Sequence, residues 1–247
     1  MIDFLKRNTL PLLTLAVGGT GLILRLVLNG TADDKGFVTR WHWSTVFMLV
    51  LTLAFLALLF LGTRTLRQAA KYNFNFPPSL AGAVGTILAA VGFGATSLVE
   101  LQAAPVALDL ICALLGLLTA AALLPVAWCR WRGDHPPMLL HGLACAYLMV
   151  RLICMYRHWS SDPQLTDYAF ELLALVCAML AVYHRATFDA DFGQRSSYAF
   201  FSLAAMYFCL LCLAGSQPML FGAVGLWLLT DRCDLTPMPR AYREGRL

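Results

Sequence analysis

Eight apolar segments, most of them close to the roughly 20 residues that cross a bilayer, occupy nearly the whole chain. They run over about 9–28, 42–62, 79–99, 104–128, 137–156, 165–184, 197–214 and 217–230. Hydrophobic residues fill 60% of the 247 positions and charged residues only 13%, more apolar surface than a soluble fold of this size can bury. The expected fold class is all-α: a polytopic transmembrane helical bundle of about eight spans, or seven if the short last segment is re-entrant. One integral membrane domain covers 1–230, and 231–247 reads as a basic cytoplasmic tail near anionic headgroups. Connections of at most about a dozen residues leave no room for a second folded domain.

The start of the chain lacks the small-residue cleavage site of a secretory signal, so Thr9 to Leu28 reads as a retained first helix. Orientation follows from Lys and Arg in the connections. With the N-terminus inside, thirteen basic residues fall on the inner side and three, Lys35, Arg40 and Arg157, on the outer. That places both termini in the cytoplasm of a cell inner (plasma) membrane protein. Trp41, Trp43, Trp128, Trp131, Trp159 and Trp227 lie near segment ends, as interfacial anchors do. The stripe Ala81, Gly85 and Ala89, and Gly18, Gly19 and Gly21 in the first span, suit close helix packing, with a dimer seam as the alternative.

Four charges lie inside the apolar segments: Arg25, Asp109, Arg151 and Glu171. At 1.5 Å rise per residue all four fall in one layer of the outer leaflet, Arg151 and Glu171 each roughly 9 Å below the outer boundary. Charges facing lipid cost several kcal/mol, so these turn inward and pair. Arg151 with Glu171 is the expected pair, because consecutive antiparallel spans put them side by side. Arg25 with Asp109 is the second. Asp167, one turn from Glu171, and Tyr147, four residues before Arg151, complete the candidate substrate-binding set. The outer loops around Trp41-His42-Trp43 and Tyr156 to Gln164 supply aromatics, imidazoles and a guanidinium above it.

Other signals carry less. Six of the eight cysteines sit in apolar segments, including Cys209 and Cys212, and read as small hydrophobes. His141 and His184 lack matched partners on their own helices, so no metal or cofactor is expected. No nucleotide loop, zinc-protease motif or nucleophile elbow is present, and no catalytic residue is assigned. The leading expectation is a carrier, or a solute-binding membrane subunit, for a small anionic or zwitterionic solute. Arg25 and Arg151 would attract the anionic group, while Glu171, helped by Asp109, takes a proton or cation. The alternative is a sensory or scaffold protein whose ion pairs are structural and whose inner loops contact a protein partner. A lipid-acting enzyme using Asp167 and Glu171 as acid and base ranks last. Membrane lipids are the expected surroundings, and no nucleic-acid partner is expected.

Overall fold

A computed structural model describes residues 9–31, 43–66, 68–103, 106–159 and 165–235, with side chains described for all of these except 158, 159 and 165–167. Every regular element among them is helical: α1 (Thr9–Asn29), α2 (Trp43–Arg64), the short α3 (Tyr72–Asn75), α4 (Leu80–Ala103), α5 (Ala107–Arg132), α6 (Met138–Trp159), α7 (Leu165–Asp189), α8 (Arg195–Cys212) and α9 (Pro218–Asp234). Seven of these are long and apolar enough to cross a membrane. The protein is an integral membrane protein with a multi-pass helical fold.

The eighth apolar segment is a 17-residue helix with Pro218 in its first turn, where the missing amide costs nothing. It spans about 25 Å and packs against α4 and α8.

α8 is the hub, touching α1, α2, α7 and α9. It is the most buried of the seven candidate spans and the least apolar by hydropathy. A helix that meets other helices instead of lipid does not need a greasy surface all round. It therefore carries Tyr198, Ser202 and Tyr207 in the interior, and Tyr207 shares a 2.7 Å hydrogen bond with Thr52 of α2. α2, by contrast, buries only a narrow stripe and turns the rest outward.

Small residues set the close contacts within the chain. A Cβ at Gly18 or Gly21 would fall 2.5 or 2.7 Å from the side chains of Leu210 and Leu211, whereas Gly19 faces open space. On α4 the buried stripe is Gly82, Gly85, Ala89 and Gly92, pressed against Arg130, Thr230 and Ala223. Ala81, expected on this stripe, is exposed. Both stripes are consumed by intramolecular packing.

The tryptophans divide. Trp43, Trp128 and Trp131 are more than half exposed, as a membrane-interface belt requires, and Arg132 lies over the Trp128 ring. Trp227 does not belong to that belt. It is 1% exposed, stacked on His141 with an 11° interplanar angle and set edge-on to Phe93. The short last helix is tucked into the bundle, so its tryptophan meets protein. Trp41 lies outside the described residues, as does the Trp159 side chain.

Candidate functional site

Two layers of buried charge cross the bundle. Glu171 and Arg185 mark them on α7, fourteen residues and therefore about 21 Å apart along the axis.

The first layer contains the charges expected from sequence, with different partners. Arg25 reaches Glu171, Nη2 to Oε1 at 3.5 Å, and its Nη1 donates to the Leu211 carbonyl at 3.4 Å. Arg151 forks onto both carboxylate oxygens of Glu100 and donates through Nη2 to Gln217 Oε1 at 2.6 Å. The expected pairs Arg151–Glu171 and Arg25–Asp109 are thus replaced by Arg151–Glu100 and Arg25–Glu171.

The reason lies in the turn between α8 and α9. Glu171 accepts from the Ser216 backbone N–H at 3.3 Å and from the Ser216 hydroxyl at 3.0 Å, and the next residue, Gln217, takes Arg151. This turn serves Glu171 on one side and Arg151 on the other. Gly215 permits the approach, since a Cβ there would meet Glu171 Oε1. Equal depth on neighbouring helices fixed the layer but not the direction in which each side chain points.

Glu100 lies just past the expected end of the third segment at 99, because α4 continues to Ala103. A carboxylate at the end of an apolar run, level with a buried arginine, was the signal available.

Around Arg151 the site is built from three helices, α4, α5 and α6, and the turn. Arg151 itself is 4% exposed, while the Glu100 side chain keeps 22% of its surface, so the pair meets the surroundings through its carboxylate. Tyr147 shares the buried face of α6 with Arg151 and is fully buried. Ser97 of α4 and Tyr147 of α6 both crowd Gly116 of α5. Arg151 Nε is buried with no hydrogen-bond partner, and the buried hydroxyls of Tyr147 and Ser97 lie within reach of each other. Cys112 Sγ lies 3.8 Å from Arg151 Nη1, and Cys154 Sγ 3.8 Å from the Leu108 carbonyl. Beyond these, Asp109 and Arg157 line an open cleft of about 130 Å³ with Val106 and Leu108. The side chain of Asp167 and the loop residues 160–164 and 41–42 lie outside the described residues.

The second layer was missed. Arg130 donates to Asp234 at 2.6 Å and stands 3.3 Å from Asp231. Arg185 donates to Asp231 at 3.2 Å and to Asp189 at 2.9 Å, and His141 Nδ1 lies 2.6 Å from the other oxygen of Asp189. That contact puts a proton on Nδ1. His141 therefore has a partner after all, on α7 instead of on its own helix. Phe76, delivered by the segment after α3, places its ring 3.9 Å from the Arg185 guanidinium and 5.1 Å from that of Arg130. Four of the thirteen residues counted as inner loop charges, Arg130, Arg185, Arg195 and Arg232, are buried in the bundle.

Among the described residues no group of three or more His, Cys, Asp or Glu side chains is arranged to hold a metal ion. Comparison with protein-family models, curated proteins and solved structures finds no match.

Proposed function

We propose that this membrane protein is a carrier or binding subunit for a small zwitterionic solute, held at the Arg151–Glu100 pair. The observation that supports this most is the fork itself. A buried guanidinium and a partly exposed carboxylate satisfy each other, bordered by Arg151 Nε, which has no hydrogen-bond partner, and by the buried hydroxyls of Tyr147 and Ser97.

Opening such a pair with a lone anion leaves Glu100 without its counter-charge, and breaking a buried pair this way costs roughly 3–5 kcal/mol. A zwitterion replaces both partners at once: its carboxylate takes the planar fork of Arg151 and its ammonium takes Glu100. The hydroxyls of Tyr147 and Ser97 supply the remaining hydrogen bonds. Arg25–Glu171 then acts as the neighbouring support, linked to the site through Ser216 and Gln217. The excess of basic residues in the connections at the other end supports an outward-facing position for this end. The second charge layer, tying α5, α7 and α9 at the far end, suits the opposing gate of an alternating-access cycle.

Uptake of labelled zwitterions into proteoliposomes tests the proposal, with Arg151→Lys as the diagnostic variant. Lysine keeps the charge and loses the fork, so uptake should fall at least tenfold while the protein stays folded.

One observation favours the structural alternative for part of the layer. Both Glu171 oxygens are already engaged by Arg25 and Ser216, so this pair reads as a lock that holds α1, α7 and the turn together.

A further inference from the structure

The second layer has more hydrogen-bond donors than acceptors. Two of its carboxylates are occupied, Asp234 accepting from Ser79 at 2.7 Å and from Arg130 and Asp189 from Arg185 and His141, while Asp231 accepts from Arg185 through Oδ2 and its Oδ1 stands 3.3 Å from Arg130 without a hydrogen bond. Yet Arg130 Nε and Nη1, Arg185 Nη2 and the hydroxyls of Tyr72 and Tyr198 are buried with no hydrogen-bond partner. All four side chains are at most 1% exposed. They share one centre, because each packs on the Phe76 ring: Arg185 at 3.9 Å, Arg130 at 5.1 Å, Tyr72 at 5.6 Å and Tyr198 at 5.8 Å.

Leaving one such donor unmade costs about 1–3 kcal/mol, more when it is charged, and five atoms on four side chains are left unmade together. Arginine N–H groups and phenol O–H groups can all donate to an anion, and guanidinium offers no acceptor of its own. Arg195 and Arg232, also buried, add positive potential, with Arg232 in electrostatic reach of Tyr198. At the rim of the layer the partly exposed His135 ring lies 4.5 Å from Tyr72 and pairs with Asp191 at 3.5 Å.

We infer that this layer binds a small inorganic anion, of halide or nitrate size, between Arg130 and Arg185 beside Phe76, with Tyr72 and Tyr198 donating to it. The anion completes the donors that three aspartates leave over and fastens α5, α7 and α8 to α3 and the Phe76 segment that follows it. This site is separate from the Arg151 site at the other end of the bundle.

The test is thermal unfolding of the full-length protein in detergent, titrated with chloride, bromide and nitrate against gluconate at constant ionic strength and pH. A saturable rise in the unfolding midpoint is expected. In the doubly substituted Tyr72→Phe, Tyr198→Phe protein, which keeps every ion pair, the anion concentration at half-effect should rise about tenfold or more, as expected for losing two hydrogen bonds. Bromide located by anomalous scattering between Arg130 and Arg185 gives a second readout independent of stability. A purely linear salt response in the wild-type protein, as ordered water in place of an anion would give, overturns the inference. So does a saturable response that the double substitution leaves unchanged.

Discussion

Glu171 on α7 closes on Ser216 in the turn between α8 and α9, accepting from its backbone N–H at 3.3 Å and from its hydroxyl at 3.0 Å. The turn thereby becomes the hub of the first charge layer, with Arg25 on the same carboxylate and Arg151 on the following residue. Its geometry depends on a glycine. Gly215→Ala would drive a methyl group into Glu171 Oε1, and a loss on the order of 1–3 kcal/mol is expected from such overpacking. Gly142, whose Cβ position faces open space within α6, is the control. Gly142→Ala should be neutral or stabilising by up to about 1 kcal/mol. Thermal unfolding of the two variants side by side checks the contrast.

Partner identity in the same layer is open to charge exchange. Arg151→Glu alone places two carboxylates against each other and should be poorly folded. Adding Glu100→Arg restores an opposite-charge pair and should recover most of the loss, whereas adding Glu171→Arg should not. Expression yield and size-exclusion profile read the outcome, and recovery by the Glu171 exchange in place of the Glu100 exchange would reject the observed pairing.

Much of this architecture was legible in the sequence. The apolar runs located the helices, and the rise per residue put Arg25, Arg151 and Glu171 at one level of the bundle, where the structure has them around one turn. Depth says nothing of azimuth, and the partners were set by the α8–α9 turn, which no pairwise spacing reveals. The second layer was hidden by the way basic residues are tallied. Counting Lys and Arg alone assigns Arg130 and Arg185 to loops, while the acidic residues that hold them, Asp189, Asp231 and Asp234, go uncounted. Arg185 and Asp189 at i,i+4, flanked by Ala186 and Phe188, were the readable hint, because a charged pair among buried neighbours has to be satisfied inside the bundle.

The second layer should be the stability keystone of its end. Asp231→Asn removes the charge that faces both Arg130 and Arg185, and a loss of about 1.5–3 kcal/mol is expected, since Arg130 keeps Asp234 and Arg185 keeps Asp189. Asp191→Asn, at a side chain 55% exposed, keeps the oxygen that accepts from the Tyr72 N–H and should cost under about 1 kcal/mol. Unfolding midpoints in detergent discriminate the two.

The division among tryptophans predicts depth-dependent quenching in lipid. In single-tryptophan variants reconstituted with brominated lipids, Trp43, Trp128 and Trp131 should be quenched strongly. Trp227, shielded by His141 and Phe93, should remain nearly unquenched. Strong quenching of Trp227 would place α9 against lipid and contradict its packing.

The central claim is that the Arg151–Glu100 pair exchanges partners with a zwitterion. Calorimetric titration of the purified protein with zwitterionic amino acids, beside matched lone carboxylates and lone amines, addresses it most directly. The zwitterions should bind at least tenfold tighter than either half, and Glu100→Gln, folded but without the ammonium partner, should erase that preference. Equal affinity for zwitterions and lone anions, or no binding of any compound by folded protein, would contradict the account.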